Sequence, residues 1–262
     1  MRISALAGAA LLLVRLVPAA AQRVETGFLD RTVAVGGQSY RYQVYVPADY
    51  PAKAAWPVIL FLHGSGERGD DGLLQTTVGL GPAIRRNAKR FPALVVFPQM
   101  PADSQWVGTP AEVALAALNR TLDELHADRD RVYLTGLSMG GHGAWYLAYR
   151  HPELFAAVAP ICGWILDNPG FKGSVPVVPA DSGDPMQALA RRLAHTPIWI
   201  FHGEMDHTVP VAASREPAAA LKAANPDVRY TEFLGLEHNS WDATYASDEF
   251  VHWLFAQRRR KP

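Results

Sequence analysis

Cysteine is almost absent from this sequence: Cys162 is the only one among 262 residues, so no disulfide can form within the chain. An excess of charge of either sign is missing too, because 25 Lys and Arg residues balance 25 Asp and Glu residues. The sequence therefore has neither the basic excess that attracts nucleic acid nor the acidic block of a solvating tail. Because 49% of the residues are hydrophobic, we expect a globular protein with a sizeable core and no nucleic-acid partner.

Apolar runs long enough to span a bilayer are also lacking. At the N-terminus, Arg2 precedes an apolar run at residues 5–14, and a run of small residues follows at residues 19–21. This order is typical of a cleaved signal peptide, the alternative being a disordered or interfacial tail. We expect residues 1–21 to be a signal peptide and residues 22–262 to form one domain. The protein should then be exported, either to the periplasm or outside the cell, with no stable membrane anchor.

Short apolar runs alternate with amphipathic segments, which is typical of an α/β domain. After a first pair of strands around the turn signal Gly36-Gly37, the runs at residues 58–62, 94–97 and 132–134 are continuously apolar, as in strands buried on both faces of a mostly parallel sheet. Strands are predicted at residues 31–35, 40–46, 58–62, 94–97, 132–134, 156–161, 198–201 and 228–233, and helices at 109–127, 139–149, 185–193, 211–224 and 241–258. We expect a twisted, mostly parallel sheet with helices on both faces and no large cap domain. Residues 163–184 form a long loop that is the only candidate for a partial lid.

The residues from Gly136 to Gly140 read GLSMG and match the pattern G-x-S-x-G. A predicted strand precedes the motif and a predicted helix follows it, which is the context that exposes a serine on a sharp strand-to-helix turn. Glycines are needed beside that serine because neighbouring backbone comes too close for side chains. The motif in this context predicts that Ser138 is a catalytic nucleophile.

A serine hydroxyl needs an adjacent base to take its proton, and nine histidines are available. In folds that present a serine on such a strand-to-helix turn, the catalytic acid and then the base follow the serine along the chain, so the base lies late in the sequence. His238 lies in the loop between the last predicted strand and the last predicted helix, so it is the predicted base. For the other histidines, packing, capping or solvated roles are expected.

The acid should lie in the loop after the strand at residues 198–201, and Asp206 is the predicted residue. Its task is to hold the histidine in the productive tautomer and to stabilise the imidazolium that forms. Glu204 is the alternative acid, and helix capping is the alternative role for Asp206. His202 and His207 flank the same loop, but no metal-ligand spacing is present, so we expect neither a metal nor another cofactor.

An acyl-transfer site also needs backbone N–H groups that face the oxygen that becomes negative. One comes from the residue after the nucleophile, which is Met139, and the other from the loop after the third strand. That loop contains His63-Gly64 directly after an apolar strand, and the N–H of Ser65 is the predicted second donor. An ordinary glycine-rich strand–helix loop is the alternative interpretation.

Four segments, FLHGSGERGDDG, GLSMGGHGAW, FHGEMDHTVP and EHNSWD, resemble the α/β-hydrolase superfamily. They are most similar to a group of small esterases and predicted peptidases related to phospholipase/carboxylesterases, feruloyl esterases and the prolyl oligopeptidase catalytic domain. The resemblance runs from about Gln38 to the C-terminus and implies the same triad and the same two oxyanion donors. It also implies a serine esterase that cleaves short-chain or aromatic esters, free or linked to polysaccharide, through an acyl-serine intermediate.

Three tryptophans, Trp106, Trp164 and Trp241, lie in loops that should ring the carboxyl edge of the sheet, where ligands bind in such folds. We expect them to contact substrate, the alternative being that each packs beneath its own loop.

Other activities use similar residues. A serine peptidase of the prolyl oligopeptidase kind, an acyltransferase and a ligand-binding pseudoenzyme are the alternatives. The lack of a propeller domain in this sequence weakens the peptidase assignment, and the complete set of predicted catalytic residues argues against a pseudoenzyme.

Overall fold

The computed structural model describes residues 25–50, 55–168, 170–171 and 173–259. The predicted signal peptide at residues 1–21 lies outside the described residues. Within the described part, no helix has both the length and the apolar character that a bilayer crossing requires.

The described strands form one eight-stranded sheet with the order β1-β2-β4-β3-β5-β6-β7-β8. The strand β2 runs antiparallel to both of its neighbours, whereas β3 to β8 all run parallel to one another. The strands are β1 (Gly27–Val35), β2 (Gln38–Val46), β3 (Trp56–Leu62), β4 (Leu94–Pro98), β5 (Ala127–Leu137), β6 (Ala157–Ile161), β7 (Ile198–Gly203) and β8 (Val228–Phe233).

Helices cover both faces of this sheet. They are α1 (Leu80–Arg86), α2 (Thr109–Glu124), α3 (Met139–Arg150), α4 (Pro185–Arg192), α5 (Ala212–Ala224), α6 (Trp241–Ala246) and α7 (Asp248–Ala256). Buried side chains of α2, α3, α4 and α5 belong to one hydrophobic core layer, and those of α1, α6 and α7 belong to the other. The predicted α/β fold with a mostly parallel sheet is confirmed.

The central strand β3 shows why the apolar runs form buried strands. All seven of its residues are buried. Leu60 and Leu62 pack in the core layer with α2 and α3, whereas Ile59 and Phe61 pack in the layer with α1 and α7. Successive side chains of a strand point to opposite faces, so only a run that is apolar at every position can fill both layers.

Some predicted boundaries differ from the structure. The single helix predicted at residues 241–258 is two helices, because the chain leaves the helical conformation at Ser247, whose hydroxyl caps the N–H of Phe250 at 3.2 Å. The helix predicted to reach residue 127 ends at Glu124, since Ala127 already pairs with Trp56 as the first residue of β5. The short helix α1 was not predicted.

The parallel strands bring their carboxyl ends to one edge of the sheet, and this edge carries the predicted site residues. Loops that leave β3, β5, β6, β7 and β8 all emerge there. In the described part of the chain between β6 and α4 there is a loop with a single 3-10 turn at Ala180–Ser182 and no inserted cap domain.

Candidate active site

Ser138 lies on the sharp turn between β5 and α3 and has φ 54° and ψ −119°. A positive φ is strained for a residue with a side chain, and such strain persists only where the surroundings enforce it. Close backbone packing enforces it here. A Cβ on Gly140 would collide with the carbonyl oxygen of Leu62, and one on Gly136 would collide with that of Gly140. The glycines of the motif thus permit the turn that presents the Ser138 hydroxyl.

Three side chains from three different loops form a continuous hydrogen-bonded chain. The Nε2 atom of His238 lies 2.9 Å from the Oγ atom of Ser138, and its Nδ1 atom lies 2.7 Å from the Oδ2 atom of Asp206. The His238 side chain is 22% exposed, whereas that of Asp206 is completely buried. The arrangement can transfer a proton from the serine to a histidine that a buried carboxylate holds in place.

The Asp206 carboxylate uses both of its oxygens. Its Oδ1 atom accepts hydrogen bonds from the backbone N–H groups of Thr208 at 2.8 Å and Val209 at 2.9 Å. Its Oδ2 atom faces His238 and also the Nε2 atom of His202, at 3.2 Å. Burial raises the pKa of Asp206, but the hydrogen bonds from His202, His238 and Val209 outweigh it and hold the pKa well below its usual range. The group therefore stays a carboxylate.

His202 is a fully buried partner of this acid that sequence reasoning did not assign to the site. Its Nδ1 atom lies 2.7 Å from the hydroxyl of Ser214, and its Nε2 atom lies 3.0 Å from the carbonyl oxygen of Val209. The contacts fit an Nε2–H group shared between Val209 and Asp206. A histidine in a buried strand four residues before the acid was the only sequence signal for this contact.

The alternative acid, Glu204, lies away from the histidine chain. One oxygen of its carboxylate accepts a hydrogen bond from the backbone N–H of Gly235 at 2.9 Å, which ties the β7 loop to the turn after β8. The geometry therefore favours Asp206 over Glu204 as the partner of His238.

The two predicted oxyanion donors each begin a helical turn. Met139 is the first residue of α3, and Ser65 is the first residue of a 3-10 turn that ends at Glu67. An N–H group in the first turn of a helix has no carbonyl partner within that helix, and at Met139 the dipole of α3 also favours negative charge. Both amides are thus suited to bind a developing oxyanion.

The loop that carries Ser65 is fixed by a buried histidine. The Nδ1 atom of His63 lies 2.6 Å from the carbonyl oxygen of Gly64, and its Nε2 atom accepts a hydrogen bond from the backbone N–H of Met100 at 3.2 Å. Burial lowers the pKa of His63 to about 4, so the ring is neutral at neutral pH. A neutral ring can donate through one nitrogen and accept through the other, which this arrangement requires.

Trp106, which we expected to contact substrate, is instead completely buried. Its indole N–H donates to the carbonyl oxygen of His63 at 3.0 Å, and the two rings pack edge to face with centroids 4.9 Å apart. The hydrogen bond satisfies the one polar group of the buried ring. The expectation was wrong: Trp106 is buried beneath the loop that carries His63 and Ser65, and it supports that loop through His63.

The other two tryptophans differ from each other. Trp164 is 3% exposed and stacks on the ring of His142 in α3 at 4.9 Å. Trp241 is only partly buried, and its ring meets the ring of His238 edge to face at 5.4 Å. Of the three predicted tryptophans, Trp241 is the one that both contacts the triad and keeps part of its surface open.

The long loop after β6 forms one side of the cleft. The ring of Phe171 contacts Trp164 at 5.3 Å and lies under the guanidinium of Arg68, 6.0 Å away, from the oxyanion loop. The side chain of Gln105 donates a hydrogen bond to the carbonyl oxygen of Gly173. These contacts join the loop to two others at the same edge.

Cys162 fills space behind the triad. It is fully buried, and its sulfur lies within 4.8 Å of a carboxylate oxygen of Asp206 and of a ring nitrogen of His238. Burial raises the pKa of the Cys162 thiol, so the group is neutral and acts as a small apolar side chain.

Comparisons with known proteins agree with this picture. A family model described as "Putative esterase" matches residues 34–253. "Feruloyl esterase B" of Neurospora crassa is 30% identical over 229 residues, which cover 75% of this chain and 71% of that protein. An "Uncharacterized secreted protein" of Arthroderma benhamiae is 24% identical over 80% of this chain and 24% of that protein. A solved structure of a thermostable esterase is 34% identical and superposes with a TM-score of 0.75, covering 88% of this chain and 63% of that one.

The strand order, with a serine elbow at the end of β5 and acid and histidine loops after β7 and β8, defines a serine hydrolase of the α/β-hydrolase fold. The chain belongs to the Putative esterase family. The resemblance that the sequence motifs suggested is therefore confirmed, and with it the class of carboxylic-ester hydrolase.

Proposed function

We propose that this chain hydrolyses carboxylic esters with Ser138 as nucleophile, His238 as general base and acid, and Asp206 as the group that orients His238. The N–H groups of Met139 and Ser65 bind the oxyanion. The observation that carries the proposal is the pair of contacts at 2.9 Å and 2.7 Å that joins the three side chains.

The reaction has two halves. The Ser138 oxygen attacks the ester carbonyl while His238 takes its proton, and the resulting oxyanion is stabilised by the two backbone N–H groups. The C–O bond to the alcohol then breaks as His238 returns the proton to the leaving oxygen, which leaves an acyl-serine. Water repeats the sequence on the acyl-serine and releases the carboxylic acid and the free serine.

We propose short-chain and aromatic carboxylic esters as the substrates, either small or attached to a polysaccharide. The name of the Neurospora relative supports the aromatic class. The cleft supports it as well, since it has no cap domain in the described part of the chain and Trp241 offers a partly exposed ring beside His238. Aromatic rings stack favourably on such a surface.

A comparison of substrates tests the proposal. We expect kcat/KM for p-nitrophenyl butyrate and methyl ferulate to exceed that for a proline-containing peptide amide by at least about a hundredfold. An alkoxide leaves once the oxyanion is stabilised, whereas an amine also requires a well-placed general acid. A value for the peptide equal to either ester value would favour the oligopeptidase alternative.

We also propose that the protein is exported. The apolar run at residues 5–14 and the small residues at 19–21 support cleavage near Gln22, and one relative is described as secreted. N-terminal sequencing of the protein from its native host should find a chain that begins near Gln22. Mature protein that retains Met1 and stays in the cytoplasm would contradict export.

A further inference from the structure

A buried histidine at the end of β7 lies directly behind the acid of the hydrogen-bonded chain. The Nε2 atom of His202 lies 3.2 Å from the Oδ2 atom of Asp206 and 3.0 Å from the carbonyl oxygen of Val209. Its Nδ1 atom lies 2.7 Å from the hydroxyl of Ser214 in α5, and both residues are 1% exposed or less. Both nitrogens of the ring therefore have polar partners away from solvent.

These partners select one tautomer of His202. The Val209 carbonyl and the ionised Asp206 carboxylate can only accept hydrogen bonds, so the proton of a neutral ring belongs on Nε2. The lone pair on Nδ1 then accepts the hydrogen bond that the Ser214 hydroxyl donates. In the opposite tautomer the lone pair on Nε2 would face two oxygens, and both would lose a buried donor. The ring is therefore held as an Nε2–H donor that faces the acid.

His202 also closes the turn that carries the acid. Val209 donates its backbone N–H to the Oδ1 atom of Asp206 at 2.9 Å, while its carbonyl oxygen shares the Nε2 atom of His202 with Oδ2. The strand β7 pairs with β6 on one side and β8 on the other, and all six of its residues are buried. A side chain on such a strand is a more precise support than one on a loop. The loop of the acid is thus tied to the sheet through the ring of His202.

The Oδ2 atom of Asp206 is the atom that faces the base. It receives the Nδ1–H group of His238 at 2.7 Å and the Nε2–H group of His202 at 3.2 Å. When His238 takes the proton of Ser138, its Nδ1 proton must stay on the ring and not pass to Asp206. Burial raises the pKa of Asp206, and the hydrogen bond from His202 is the first of those that lower it. The contact from His202 therefore opposes both rotation of the carboxylate and its protonation.

We propose that His202 is a positioning residue for ester hydrolysis, which holds the Asp206 carboxylate in the orientation and charge state that His238 needs. Ser214 supports it by fixing the ring of His202 through Nδ1. The proposal rests on the function proposed above and extends the hydrogen-bonded chain from Ser138 by two buried residues. Because neither residue is exposed to substrate, their loss should lower kcat and leave KM nearly unchanged.

Two substitutions of His202 separate its donor from the rest of the ring. The amide nitrogen of glutamine can take the place of Nε2, so His202→Gln keeps a donor for Asp206. Asparagine is shorter and its amide reaches only the place of Nδ1, so His202→Asn keeps a contact with Ser214 and loses the donor. We expect His202→Asn to lower kcat for p-nitrophenyl acetate by about tenfold to a hundredfold, since a hydrogen bond to a charged group is lost. His202→Gln should retain at least about five times that kcat, and both variants should keep KM within about twofold of wild type.

His207→Asn is the matched control, because His207 is exposed and directly follows Asp206 in the same loop. It should have the kcat and KM of wild type. A second comparison uses the Asp206→Asn background. If His202 acts through Asp206, adding His202→Asn to that background should lower kcat by no more than about twofold, because residues that act as a unit are not additive. A residue that only supports the fold would lower kcat by its full factor in both backgrounds.

Ser214→Ala leaves the His202 ring intact and tests the proposal even where the His202 variants fail to fold. The buried Nδ1 atom loses its donor and the ring is held less firmly, so we expect kcat to fall by about three- to tenfold with KM unchanged. Equal kcat for His202→Gln and His202→Asn, an unchanged kcat in Ser214→Ala, or losses shared between kcat and KM would overturn the positioning role. Ester hydrolysis through Ser138 would still stand in each of these cases, because that proposal fails only where Ser138→Ala or Asp206→Asn retains wild-type activity.

Discussion

Ser138→Ala is expected to reduce ester hydrolysis by roughly 10⁶-fold, the scale on which a serine hydrolase loses turnover without its nucleophile. The only atom removed is the Oγ that lies 2.9 Å from His238. No acyl-serine can form, and water must then attack the ester without the covalent step. The measurement is kcat/KM for p-nitrophenyl acetate with purified variant and wild type.

The fold should survive this change. Ser138 is partly exposed and its backbone is held by the glycines around it, so alanine leaves little new cavity. We expect the free energy of unfolding to change by no more than about 1 kcal/mol. Ser104→Ala, in the loop before α2, is the matched control and should retain full activity. Turnover by Ser138→Ala near the wild-type rate would refute the nucleophile assignment.

Asp206→Asn is expected to lower kcat on the order of 10⁴-fold, as the corresponding change does in serine proteases that use a Ser-His-Asp triad. The two backbone N–H groups of Thr208 and Val209 that face Oδ1 require an oxygen at that position. The amide nitrogen of the new asparagine must then face His238. His238 would have to accept that bond at Nδ1 and would carry its proton on Nε2, where it can no longer act as the base for Ser138.

The same substitution disturbs His202. In the wild-type protein, the Nε2 atom of His202 lies 3.2 Å from the Asp206 carboxylate and 3.0 Å from the carbonyl oxygen of Val209. In the variant, the amide NH₂ of the asparagine and the Nε2–H group of His202 would face each other as two donors. If His202 changed tautomer, the Val209 carbonyl would lose its donor. Because these contacts do not touch bound substrate, we expect KM to change by less than about threefold.

Glu204→Gln is the matched control for this prediction, since Glu204 lies in the same loop and was the alternative acid. Its contact is the N–H of Gly235 at 2.9 Å, and a glutamine oxygen can accept the same hydrogen bond. We expect kcat within about threefold of wild type. If Glu204→Gln were the crippling change and Asp206→Asn the mild one, the assignment of the acid would be reversed.

The fold, and the side chains that meet at the carboxyl edge of the sheet, were predictable from the sequence because they follow from patterns along the chain. Runs that are apolar at every position predicted the buried parallel strands, and the glycines around Ser138 predicted the turn between β5 and α3. The positions of Asp206 and His238 followed from the order of strands and loops along the chain. Asp206 was the predicted acid, but Glu204 remained an alternative, because a sequence does not show which of two carboxylates in one loop points toward His238.

The features that the sequence did not predict depend on the direction in which individual side chains point after the loops have packed. Trp106 looks like a surface aromatic in a polar loop, yet its N–H meets the His63 carbonyl and its ring is buried. His202 was set aside as a flanking histidine, although it is a partner of the acid. The break at Ser247 follows from the capping bond to Phe250, which a continuous amphipathic pattern conceals.

The most direct test of the central claim is the site of covalent modification by a fluorophosphonate. Such reagents react with a serine only when a neighbouring base activates it and an oxyanion site receives the phosphoryl oxygen. Peptide mass spectrometry of the labelled protein should find one modified residue, Ser138, with labelling lost in Ser138→Ala and strongly slowed in Asp206→Asn. Labelling at another serine, or none in active protein, would contradict the account.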